Sequence, residues 1–214
     1  MDQAANQHAG AWAVVGGVMW LTYGSLSGAG HWLGAGVAGF AIATVIVAMQ
    51  YRRNAVKIMD CTAIGYFALA ITIVLIAGDQ WIQHFRLPLP WSVFAIVAWV
   101  TVVIGAPFTL QYAREEAPRE IWASPTFYRM NLHLTVAWAL ICTINAMLGA
   151  ISMEVGQVLL LGLILPTAGM AFGFTFSKRY PNRFTADFES ESRRQSGGPA
   201  IDGPSETIPE AARP

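Results

Sequence analysis

The sequence predicts an all-α fold, a polytopic transmembrane helix bundle of six spans followed by a disordered C-terminal tail. Three observations predict it. Of 214 residues, 55% are hydrophobic and 12% charged, against roughly 25% charged in soluble domains. The apolar residues fall into runs of about bilayer length, near the ~20 residues a helical span needs. The cations collect on alternate connectors between those runs.

The first ten residues, MDQAANQHAG, form a short polar N-terminus without Lys or Arg. No positive n-region precedes Arg52, so the first run, 11–27, reads as retained rather than as a cleaved signal. This run is short for a span. Gly17, Gly24 and Gly28 offer close-contact positions, and SGAG before His31 reads as a tight turn. The second run, 31–50, sets Gly36, Gly39 and Ala43 on one side and stops at Tyr51, Arg52 and Arg53, a boundary suited to headgroups. The third, 59–78, opens with Asp60 at the positive end of its helix and closes at Asp79 and Gln80. DQWIQHFRLPLP then forms an interfacial turn. In the fourth run, 91–111, Ser92, Ala95, Trp99, Val102, Ala106 and Thr109 share a face, and Pro107 is expected to bend the helix one turn from its end. The fifth covers 130–151 and the sixth 155–177. Gly162, Pro166, Gly169 and Gly173 recur along the sixth at steps of four, three and four, which predicts close helix contact and a kink at Pro166.

Charge gives the orientation. With both termini cytoplasmic, the inner segments hold Arg52, Arg53, Lys57, Arg114, Arg119, Arg129, Lys178, Arg179 and Arg183, and the outer ones hold only Arg86. Nine against one follows the positive-inside rule; the alternation requires an even number of spans, or else a first run that does not span and an outer N-terminus, and in either case the C-terminus is inside. Residues 178–214 are rich in Ser, Glu, Pro and Gly and bury too little to offset the entropy of ordering, so they read as a disordered cytoplasmic tail.

The stretch from Gly105 to Asn145 joins the densest charge to the most regular polar pattern. Asn131, Thr135, Trp138, Cys142, Asn145 and Gly149 fall on one helical face. In lipid, polar and small residues turn toward other helices, so this is a packing face. Asn145, about 21 Å along the helix from Asn131, needs a partner there. A hydrogen bond to a neighbouring helix is the plain reading, and a polar cavity the sharper one. The connector before it carries Gln111, Arg114, Glu115, Glu116, Arg119 and Glu120, with His133 one turn into the fifth helix. Carboxylates near a histidine can handle a proton or a metal, yet HExxH, ExxH and HxxxD are absent, and solvated ion pairs explain the same residues. The candidate polar site is Gln111, Tyr112, Arg114, Asn131, His133 and Asn145, with no residue assigned a catalytic role.

Several classes drop out. Zero formal net charge and the lack of a binding signature set nucleic acid aside. Cys61 and Cys142 match no metal-ligand spacing and read as small packing residues rather than a disulfide. Neither a cofactor nor a metal is called for. The spans as drawn hold no Asp, Glu, Lys or Arg beyond Asp60, which argues against a charge-coupled pump.

With RMN at the head of a helix, Trp138 within it and Asn145 fourteen residues after Asn131, the order of short-looped apolar helices over 52–150 resembles the bacterial intracellular septation protein A family. The resemblance implies a small polytopic protein of the bacterial inner membrane, associated with envelope synthesis and division and without assigned chemistry. The Trp stands about one turn later than in that family, and the loop PFTLQYAREEAP is similar to that of uncharacterised bacterial membrane proteins. Three function classes follow: a non-catalytic envelope component contacting the bilayer and other membrane proteins or itself; a small-solute transporter or channel; and a membrane enzyme using Glu115, Glu116 and His133 at the cytoplasmic face.

Overall fold

The computed structural model describes residues 19–196, and among these every regular element is helical. Helix α1 occupies 19–28, the described part of the first apolar run; residues 11–18, with Gly17, lie outside it. Then come α2 (Trp32–Arg52), α3 (Ile58–Ala77), α4 (Asp79–Phe85), α5 (Pro88–Val103), α6 (Thr109–Glu116), a 3-10 turn (Arg119–Ile121), α7 (Pro125–Val155), a π turn (Leu160–Ile164) and α8 (Leu165–Ser196). Four described helices are long and apolar enough to cross a membrane, and five if the bent pair α4 and α5 counts as one span. Large apolar side chains stand on the outside, Ile76 at 82% and Val103 at 83% exposure. Acyl chains, not water, suit such a surface.

Helix stops are set by left-handed residues. Gly30 (φ 85°), Asn54 (φ 52°) and Gly105 (φ 72°) each end a helix with paired bonds back into its last turn; at Gly105 they are Gly105 N–H to Val102 O and Ala106 N–H to Thr101 O. This is the Schellman arrangement, which satisfies carbonyls that a helix end leaves open. The SGAG turn thus turns on Gly30. Asn54, which tolerates this conformation better than most residues, plays the same part after α2.

Two helix pairs make the core of the unit ending at Ser177. The first packs α2 on α3. A Cβ placed on Gly39 would come within 2.5 Å of the Phe67 ring, and one on Gly36 within 2.9 Å of Ile71, so the predicted Gly36, Gly39, Ala43 side is the contact side. Met19, Tyr23, Ala35, Ala43, Ala63, Tyr66 and Phe67 form its buried centre. Gly24 and Gly28, expected at close contacts, have nothing within 4 Å of a modest side chain; the helix approaches through Trp20 and Tyr23 instead.

The second pair is α5 with α7. Helix α5 starts at Pro88, whose missing N–H costs nothing at a first helical position, and ends at Val103. The expected fourth run to 111 is therefore two helices: Gly105 stops α5 before Pro107, so Pro107 bends no helix and Ala106 faces outward. Between Asp79 and Phe85 the interfacial segment is itself helical, set at 65° to α5. Helix α7 has 31 residues, about 46 Å of rise, so it begins five residues before the expected Met130 and outruns a ~30 Å hydrocarbon layer. Pro166 sits directly after the π turn, where Leu165 N–H reaches Leu160 O. The helix is widened just before the proline ring, whose missing N–H leaves a break in the regular ladder.

A second unit begins at Lys178. Its first residues continue as helix to Ser196, where composition alone gave a disordered tail. Extending an existing helix needs no new nucleus. Residues 197–214 lie outside the described residues.

Candidate functional site

Helix α7 presents its polar stripe inward. Asn131, Thr135 and Ser152 are fully buried, Asn145 nearly so, and Cys142 is 7% exposed. Each hydroxyl or amide meets protein. Ser152 donates to Gly149 O (2.8 Å), and Asn145 Nδ2 points at Pro166 O of α8 at 3.5 Å, a long and weak bond. Trp138 Nε1 donates to Ser177 Oγ (2.9 Å). Small residues let the helices close around these groups: Gly169 and Gly173 of α8 lie against Asn145, Ile141 and Trp138, and Gly149 lies against the backbone of Leu87 and Pro88.

At the other end of the stripe the start of α6 docks on α7. Thr109 Oγ1 donates to Asn131 O (2.7 Å). Its oxygen then accepts from Thr135 Oγ1 (2.9 Å), and Thr135 accepts in turn from Thr109 N–H (3.4 Å). One proton assignment satisfies all three bonds. Thr135 thus does from another helix what an N-cap residue does locally, serving an amide that α6 leaves open. Asn131 Nδ2 returns to Phe127 O of its own helix (2.9 Å), and its Oδ1 is a buried acceptor without a hydrogen-bond partner.

The far side of α6 meets the α2–α3 connector. Gln111 Oε1 accepts from Ile58 N–H (2.9 Å), and Gln50 Oε1 from Lys57 N–H (3.2 Å), so two glutamines from elsewhere serve the open amides at the start of α3. Gln50 Nε2 donates to Asp60 Oδ2 (2.6 Å). Lys57, 7% exposed, pairs with Glu115 (2.9 Å), and its ammonium lies 4.5 Å from the Tyr112 ring centre. Desolvation, and after it the carboxylates of Asp60 and Glu115, push the Tyr112 phenol well up.

Of the six candidate residues, Gln111 and Tyr112 share this cluster, which also takes in Lys57, Gln50 and Asp60. Arg114 rests instead with its guanidinium 5.7 Å from the Trp122 ring. Asn131 belongs to the α6–α7 junction and Asn145 to the α7–α8 contact. His133 is exposed, on a different side of α7. Lys57 and Gln50 escaped notice in the sequence because each marks the end of an apolar run, where a polar residue is expected anyway. Among the described residues no group of three His, Cys, Asp or Glu could hold a metal ion. Cys142 is buried and Cys61 is exposed.

Two concavities complete the picture. An open groove of about 620 Å³ runs between α5 and α7 over Ile96, Val100, Ala146 and Met147; at its edge Trp99 Nε1 donates to Thr143 Oγ1 (3.1 Å). A smaller one of about 280 Å³ lies by His84, Pro88 and Glu154. Compared with family models, curated proteins and solved structures, the chain matches none.

Proposed function

We propose that this chain is a non-catalytic integral component of a bacterial inner membrane, with both termini cytoplasmic, that works by contact with other envelope proteins or with itself. One observation carries this reading: Thr135, Trp138 and Asn145 of the polar stripe of α7 reach Thr109 of α6 and Ser177 and Pro166 of α8, so these residues tie the bundle together. The orientation rests on nine inner cations against one outer. An association with septation rests on the resemblance over 52–150. In the membrane-enzyme reading Glu115 would have to act with His133, yet Glu115 is paired to Lys57 and His133 stands on a different side of α7.

The experiment joins two readouts. A deletion strain is expected to show altered envelope shape or division, and crosslinking in intact membranes is expected to join the chain to a second polypeptide or copy. Normal cells together with only uncrosslinked monomer would overturn the proposal. A small-solute pathway is the second reading, favoured by the unpartnered Asn131 Oδ1 in the bundle. Solute flux through reconstituted vesicles, abolished by Asn131→Leu, would establish it.

A further inference from the structure

The connector between α6 and α7 carries a feature that the packing of the bundle does not use. Trp122, half-buried after the 3-10 turn, is pinned by its indole N–H on Ala117 O (3.0 Å). Two guanidiniums lie on that one ring, Arg114 and Arg119, each 5.7 Å from its centre. Both arginines are exposed, and Glu115, the carboxylate next to Arg114, is taken up by Lys57. Both guanidiniums lie beside one aromatic face and carry N–H groups that an exposed position leaves open to an anion. Beside them Ile121 is 44% exposed in an otherwise charged connector, as expected of a side chain that dips into a bilayer surface.

We infer that Arg114, Trp122 and Arg119 form a clamp for the phosphate of an anionic phospholipid headgroup in the leaflet this connector faces. Guanidinium forks match phosphate oxygens in pairs, and basic clusters beside spans recognise anionic headgroups. The indole keeps both arginines beside one ring, and tryptophan is favoured at headgroup depth. The clamp needs the chain to lie in a bilayer and is independent of any envelope role.

The full-length protein is extracted from vesicles of phosphatidylcholine with a minority of phosphatidylglycerol, and the lipids it retains are counted by native mass spectrometry. Removing each arginine, Arg114→Gln or Arg119→Gln, is expected to lower selective retention of phosphatidylglycerol about fivefold. The deciding variant is Trp122→Leu, which leaves every charge in place: the clamp requires a comparable loss, with α-helical content unchanged. Arg129→Gln, an exposed cation off the ring, is expected to have less effect than either arginine of the clamp. Should Trp122→Leu retain lipid normally while Arg129→Gln matches the other two, attraction is diffuse and the clamp is refuted. Displacement of the lipid by millimolar inorganic phosphate would make it a free-phosphate site, and would equally overturn the assignment.

Discussion

Lys57 reaches Glu115 across 58 positions of sequence, Nζ to Oε2 at 2.9 Å, and this pair holds α6 against the start of α3. The two ends are unequal. The lysine side chain is 9% exposed and the carboxylate 40%, so loss of one differs from loss of the other. Glu115→Gln strands a buried ammonium with little beyond the Tyr112 ring and is expected to cost about 1–2 kcal/mol, discounted for the exposure of the carboxylate. Lys57→Met leaves a carboxylate that water can resolvate and is expected to cost less. Unfolding in detergent titrations of both variants checks the order.

Tyr112 makes the same junction sensitive to alkali. Its phenol is raised in the fold, so the native state holds that proton where the unfolded chain, titrating near 10, has released it. The contribution is complete below pH 10 and is lost as pH climbs through the higher folded value. Stability is expected to fall above about pH 10, and Tyr112→Phe is expected to flatten that fall. Thermal unfolding across the alkaline range in the two proteins reads the difference.

Gly149 tests how closely the helices approach. A Cβ there would lie 2.9 Å from Leu87 C and Pro88 N and 3.1 Å from Leu87 O, all backbone atoms that cannot rotate aside. Gly149→Ala is expected to cost about 2–3 kcal/mol by overpacking. Gly65→Ala, on a helix with nothing within 4 Å, is expected to be neutral or stabilising by up to about 1 kcal/mol. Equal effects would mean that the Leu87–Pro88 turn does not seat on α7.

The junction of α6 with α7 separates a hydroxyl that joins two helices from an amide that bonds only within its own. Thr135→Val keeps the shape but strands Thr109 N–H, and is expected to cost about 1–3 kcal/mol. Asn131→Leu removes an acceptor that has no partner together with the Nδ2 bond to Phe127 O, two terms of opposite sign, so its effect is expected to stay within about 1 kcal/mol of zero. Detergent-unfolding midpoints of the two variants decide whether that order holds.

The periodicity of α7 was legible because lipid inverts the usual rule: Asn131, Thr135, Asn145 and Gly149 announced an inward face by being the polar and small residues of an apolar run. Gly36 and Gly39 spoke in the same way. What could not be read was where backbone conformation overrides hydropathy. Nothing in the apolar text marks Gly105 as left-handed, so α5 and α6 read as one helix bent at Pro107. Nor could the spacing reveal that Gln50 and Gln111 would serve amides of α3, since such caps come from remote parts of the chain. Past Lys178 a polar composition suits disorder and helix equally well, so the extension of α8 to Ser196 has no signal in the apolar pattern.

Label mobility and oxygen collision rates at successive cysteines over 144–152, placed in a background without Cys61 and Cys142 and reconstituted in vesicles, probe the central claim directly. Exposure to lipid-dissolved oxygen is expected to peak at 144, 147 and 151 and to dip at 145, 149 and 152, following the exposed Ile144, Met147 and Ile151 and the buried Asn145, Gly149 and Ser152. A scan with Asn145 at a maximum, or one in which a water-soluble relaxant reaches every position alike, would contradict a bundle that turns its polar stripe toward its own helices.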